Sequence, residues 1–219
     1  MNTSNNIINC KSFKEDEKLS KTIDKIDKES FNEYMKKAPY TLYYYIETNF
    51  HYMNPNFSKN CLEQVIDKYY KDLKYMSAEL LNDIIGALPE KVDDTFISIY
   101  LKKVKDVEFS ELEDYILDLI SFIDEKKYKD KFNKQICDLV YKIIDRTNGH
   151  YFIHAYANEH QFLIKNFLEL DYDINIVFHW IKNLEDIEYS GFDINHSLFK
   201  PIIEKNSSLE PIFALYMIK

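Results

Sequence analysis

The apolar positions of the chain fall mostly at helical spacing. The clearest stretch is Leu112, Tyr115, Ile116, Leu119, Ile120 and Ile123, at i, i+3, i+4, i+7, i+8 and i+11, which share one helix face. After the polar run at 124–130, Phe132, Ile136, Leu139, Val140 and Ile143 repeat the pattern. Together they predict an αα-hairpin whose apolar stripes meet each other and a further neighbour. Ser110 and Glu113 have capping-box spacing ahead of the first helix, and Ser30 and Glu33 have it ahead of a helix that should stop near Ala38.

The same pattern, less cleanly, fills the rest. Leu19, Ile23 and Ile26 make one narrow stripe, which predicts a surface helix over 13–28. In 39–53 the tyrosines favour a strand by propensity, but Leu42, Ile46, Asn49, Phe50 and Met53 keep helical spacing and Pro39 suits a first helical position. The spacing therefore predicts a helix, and one face cannot bury all of Tyr43, Tyr44 and Tyr45. At least one of these rings should be exposed beside Glu47, a combination typical of protein interfaces and equally of a satellite cluster under the N-terminal helix. Further helices are expected behind an Asn60/Glu63 cap, from Ser77 to Leu88, from Pro89 through Val104, and over 176–184, 198–205 and 209–218. The expected fold class is all-α: stacked αα-hairpins in an irregular helical repeat or bundle, with a flexible 1–12, a helical region 13–146 and a C-terminal helical region 147–219 packed with it as one unit.

Composition agrees with a helical fold. The chain has 219 residues, 46% of them hydrophobic, and a chain of this length buries roughly 70% of its unfolded surface. Only three glycines and five prolines are present, too few for the many tight turns of a β fold. Against 28 basic residues stand 37 acidic ones, a net charge of -9, which repels phosphate backbones and excludes direct nucleic-acid binding as the expected role. Cys10, Cys61 and Cys137 are an odd number without paired spacing, so reduced thiols are expected rather than zinc or disulfides, and Cys61 and Cys137 sit on apolar stripes. No secretory apolar core and no membrane-length apolar run is read, so the expected location is cytoplasmic.

Residues 148–175 concentrate three of the six histidines. Asn148-Gly149 suits a turn, Ile153-His154 follows it, His160 comes six residues later, and Ile164, Phe167 and Leu168 precede Asp173-Ile174-Asn175. This stretch resembles an ankyrin-type repeat, with Ile153-His154 in the place of Leu-His, His160 in the place of the inter-helix histidine, and Asp173 to Asn175 in the place of the closing Asp-Val-Asn. Tyr151-Phe152 stands for Thr-Pro, and Glu159 and Asp171 stand where glycines are usual. The resemblance implies two short antiparallel helices and a structural duty for His154.

Candidate chemistry is sparse. His150 and His154 at i, i+4 could share a helix face with His160 nearby, which allows metal-assisted hydrolysis as an alternative function. No H-E-x-x-H completes such a site, so packing and hydrogen bonding are the favoured duties and no catalytic or metal residue is assigned. Asp171, Asp173 and Asn175 match the start of a calcium loop, but Ile176 and Lys182 occupy the positions of its glycine and its bidentate glutamate. With no cofactor motif, the favoured function is a non-catalytic protein-binding module. An acidic, aromatic surface suits a basic protein, and small acidic proteins without catalytic motifs are similar in class to immunity proteins that neutralise bacterial nuclease toxins. Trp180, Glu185, Asp186, Glu188 and Tyr189 are the expected partner contacts, and an effector acting on host proteins is the other binding alternative.

Overall fold

The computed structural model describes residues 9–180 apart from 24–25, 28, 50–54, 127–128, 148–156, 171, 174 and 178. Among the described residues every element is helical, nine α-helices and two 3₁₀ segments, so the fold is all-α. The chain divides into two compact units, Met1–Lys103 and Val104–Lys219. The boundary expected near residue 146 thus falls inside the second unit, because the helix after it packs on both helices of the preceding hairpin.

The first unit holds α1 (Phe13–Ser20), α2 (Phe31–Lys37), α3 (Pro39–Asn49), α4 (Pro55–Tyr69), a 3₁₀ segment (Tyr70–Tyr75), α5 (Ala78–Ala87), a 3₁₀ turn (Pro89–Lys91) and α6 (Asp94–Val104), which runs to the boundary. At its centre α3 packs against α1, α2 and α4, and α4 also packs against α5. Leu42 and Ile46 of α3 meet a core built from Val65, Ile66, Leu81, Ile84, Phe96 and Ile97, all buried. Each such side chain contributes about 1.5–3 kcal/mol on burial, so this layer rather than local propensity holds the unit together.

Polar side chains finish the helix ends. Ser77 accepts from the Leu80 N–H at 3.1 Å and Asp93 Oδ1 from the Phe96 N–H at 2.8 Å, each capping the helix that follows it. Ala38, which precedes α3, has no side-chain acceptor. The free N–H groups of Tyr40 and Thr41 donate instead to Asp16 of α1, at 3.0 and 2.9 Å. Asp16 is therefore an N-cap supplied from another helix, and this duty explains how a carboxylate comes to be fully buried. In return, Asp72 of the 3₁₀ segment accepts from the Phe13 N–H at 3.2 Å at the start of α1. At the other end of α2, Lys68 of α4 donates to the Lys37 carbonyl.

Several sequence expectations shift for physical reasons. The first helix ends at Ser20 rather than running to 28, and it buries Phe13, Asp16 and Ser20 instead of a Leu19 stripe. The Phe13 ring supplies that anchor, with its centroid 4.6 Å from Tyr40 and 5.9 Å from Tyr69. Ser30 stands at the start of α2 as expected, but its hydroxyl donates to Asp27 at 2.7 Å and makes no cap bond. Pro55, not Asn60, opens α4, since proline's fixed φ and missing N–H fit a first helical position. Pro89 begins only a 3₁₀ turn, and the helix proper waits for the Asp93 cap.

The second unit is built on the expected hairpin, α7 (Phe109–Lys126) and α8 (Lys129–Arg146), with α9 (Ala157–Glu169) packed on both. Leu112, Ile116, Leu119, Ile120 and Ile123 are buried on α7, and Phe132, Ile136, Leu139, Val140 and Ile143 on α8, as their spacing predicts. Phe162, Leu163, Ile164 and Phe167 of α9 supply the neighbour that the two stripes required. The backbone is helical again at 175–177 and 179–180. Much of the ankyrin-like stretch lies outside the described residues, and the backbone of Glu159 and His160, at the place of the inter-helix turn, is part of α9.

Candidate functional site

The structure gathers chemistry-bearing side chains on the face of the first unit where α3 meets α5. A groove of about 250 Å³ is lined by Tyr40, Tyr43, Tyr44, Glu47 and Thr48 from α3, and by Ser77, Glu79, Leu80 and Asp83 from α5. Helical spacing accounts for the set. Tyr40, Tyr43, Tyr44 and Glu47 follow i, i+3, i+4 and i+7 on α3, and Glu79 and Asp83 are four residues apart on α5. Leu42 and Ile46 face the core from the same helix, which leaves Tyr44 at the surface with 39% of its area exposed. Exposure of one ring of the Tyr43–Tyr45 run is what its spacing predicted.

At the inner wall of the groove the buried Tyr43 bridges the two helices. Its hydroxyl donates to Asp83 Oδ2 and lies 3.0 Å from Glu47 Oε1. Burial pushes the Tyr43 hydroxyl well above the ordinary tyrosine range, and the carboxylates of Asp83 and Glu47 push it further. The Glu47 carboxyl is itself raised, first by burial; the bond from Tyr43 lowers it and the charges of Asp83 and Glu79 raise it again. Tyr40, at the other end, is pushed up to about 12, mainly by burial. The result is a surface with aromatic walls and three carboxylates, with no basic residue among its described lining residues. Such a surface can attract and seat a cationic group, but it offers no nucleophile with a partner base.

Other places on the molecule are less suited to chemistry. A wider hollow of about 530 Å³ has Asn9, Lys11, Glu15, Lys18, Leu19 and Thr22 among its lining, a set of mixed charge. Asp16 lies beneath the surface with its carboxylate engaged by Tyr40, Thr41 and Tyr69. Burial pushes its carboxyl up, while the bonds from Thr41, Tyr69 and Tyr40 pull it back down. In the second unit, Tyr172 donates to Asp138 at 2.8 Å; Phe167 meets the rings of Tyr141, Tyr172 and Trp180 edge-on, and Tyr141 and Tyr172 are tilted by 33°. Among the described residues no three His, Cys, Asp or Glu side chains gather closely enough to hold a metal ion. The three cysteines are free and buried. No described helix is long and apolar enough to cross a membrane.

The residues singled out in the sequence are placed as follows. Trp180, expected as an exposed anchor, is fully buried, its ring 5.8 Å from Phe167 and nearly perpendicular to it. An indole this large packed on the Phe167 ring is worth more in the core than at the rim, so it is not available for contact. Glu185, Asp186, Glu188 and Tyr189 lie outside the described residues, as do His150, His154 and the side chain of His160. The sequence singled out Glu47 and the tyrosines beside it, but not Glu79 or Asp83. One signal was available: two like charges at i, i+4 in the apolar run of α5 repel each other, which is a local cost without a local reason.

Fold and groove together define an all-α protein with an acidic, tyrosine-lined surface. Compared with protein-family models, with curated proteins and with solved structures, the chain matches none.

Proposed function

We propose that this chain is a non-catalytic protein-binding module whose α3/α5 groove receives a basic protein, and most specifically that it is an immunity protein that neutralises a nuclease-type bacterial toxin. The observation that carries the reading is exposed Tyr44 beside Glu47, Glu79 and Asp83 in a groove with no cation among its described lining residues. Tyrosine supplies contact area at low entropic cost, and the clustered carboxylates beside it discriminate for a basic partner. The net charge of -9 favours the same choice, because opposite net charges accelerate encounter. The immunity role rests on class analogy: an acidic binder suits the basic, nucleic-acid-binding surface of a nuclease. In this reading 148–175 is an ankyrin-like structural unit, and Glu185, Asp186, Glu188 and Tyr189 extend the binding surface.

The test is titration of the full chain against the product of the adjacent gene and against purified basic nuclease toxins. A 1:1 complex is expected whose affinity falls with salt and with the pair Tyr44→Ala and Glu79→Lys. Reversing Glu185, Asp186 and Glu188 together tests the second surface separately. Absence of binding to every basic nuclease would remove the immunity role, and binding indifferent to salt and to the groove variants would remove the groove.

A further inference from the structure

Tyr44 and Tyr75 are the large apolar side chains left exposed among the described residues, at 39% and 42%. Their surroundings differ in charge. Lys14 and Lys74 hold their ammonium groups 4.2 and 4.9 Å from the centroid of the Tyr75 ring, so that ring is served by cations of its own chain. Beside Tyr44, among the described residues, stand the Tyr40 ring, 6.4 Å away and tilted by 39°, and the carboxylates of Glu47, Glu79 and Asp83 that line the same groove. The electron-rich ring and the acids all favour a positive charge between them, and no described lining residue supplies one.

Size and geometry narrow the occupant. A volume of about 250 Å³ is below the roughly 300–1,000 Å³ of pockets that enclose a small ligand, and it suits one long side chain. That side chain meets the Tyr44 ring on α3 and the exposed Glu79 carboxylate on α5. A guanidinium serves both at once, because its plane stacks on an aromatic ring while its N–H edge forks to a carboxylate. An ammonium is a compact, strongly hydrated charge with no plane to stack, so it gains less from the same wall.

We infer that the groove is a seat for a single arginine side chain of the partner, its guanidinium stacked on Tyr44 and paired with the Glu79 carboxylate. This rests on the reading of the groove as a docking surface for a basic protein, and it names the side chain that anchors there. Tyr44 supplies the stacking and Glu79 the pairing, while Glu47 and Asp83 add negative potential along the groove. Arginine is enriched at the hot spots of interfaces, where a few side chains carry most of the affinity.

The experiment titrates two blocked tripeptides of equal charge, Gly-Arg-Gly and Gly-Lys-Gly, into the full chain and follows the Tyr44 ring and the α3 and α5 amides by NMR. The arginine peptide should saturate with a dissociation constant on the order of 1–10 mM and bind more tightly than the lysine peptide. Tyr44→Ala should weaken it about two- to fivefold and abolish the preference, whereas Tyr44→Phe, which keeps the ring, should retain both. Glu79→Gln should weaken it by about as much. Equal affinity for the two peptides, no saturation below about 50 mM, or binding unmoved by Tyr44→Ala and Glu79→Gln would overturn the seat. Failure of the seat is distinct from failure of the docking reading. A basic protein that still binds the groove without an arginine preference removes the seat alone, and arginine seating without any nuclease complex supports the seat while removing the immunity role.

Discussion

The Tyr69 hydroxyl donates to the Asp16 carboxylate at 2.9 Å, joining α4 to α1 across 53 residues of chain. The same carboxylate caps α3, so one buried acid fixes three helices at once. Asp16→Ala would strand the Tyr40 and Thr41 N–H groups and the Tyr69 hydroxyl in the core, at about 1–3 kcal/mol for each unsatisfied group. The expected loss in urea denaturation is about 3 kcal/mol or more, against about 1.5–3 kcal/mol for Tyr69→Phe, which leaves the other donors in place. Because the two residues share one bond, a double-mutant cycle should return a coupling of about 1 kcal/mol or more. Additive losses would show that Tyr69 acts through its ring alone.

Trp180 is the only tryptophan and is fully buried, so intrinsic fluorescence reports directly on the second unit. Emission of the native chain should lie at the short wavelengths of an apolar site and shift red when that unit unfolds. Trp180→Ala is expected to cost about 3–5 kcal/mol, the range for emptying an indole-sized space in a packed core. Native emission already at the wavelength of exposed indole would contradict the burial.

The three thiols should be silent in the folded chain. Burial pushes Cys10 up to about 11, with Asp16 adding to it, and pushes Cys61 and Cys137 up to about 12. A thiol-specific disulfide reagent at about pH 8 should label none of them rapidly and all three in denaturant. Since the folded values lie above the ordinary 9.0, the thiols contribute stability fully below about pH 9, and that contribution declines as the pH rises towards the folded values. Cys137→Ala should flatten this alkaline decline in urea titrations. An unchanged slope would assign the decline to other groups.

What the sequence determined by itself is the helical periodicity, whereas several helix ends fell elsewhere than its caps and prolines suggested. Leu112 to Ile123 and Phe132 to Ile143 read as one hairpin because a period of 3.6 residues can be satisfied by only one kind of element. The exposure of a tyrosine beside Glu47 was legible for the same reason, since three adjacent rings cannot share a face.

Only the tertiary structure decided which polar groups go inside and which faces meet. Asp16 sits in a run of charged residues, PheLysGluAspGluLys in sequence, that reads as solvent-facing; its acceptor is claimed by N–H groups of 40 and 41 that have no cap of their own. Trp180 reads from the sequence as a partner contact, and its place in the core shows only beside Phe167, which no spacing rule connects to it. Glu79 and Asp83 acquire a meaning only when α5 lies beside Tyr43 and Glu47. In each case the deciding partner is remote in sequence. A residue's own neighbours fix its helix and its face, whereas desolvation and hydrogen bonding depend on what that face is packed against.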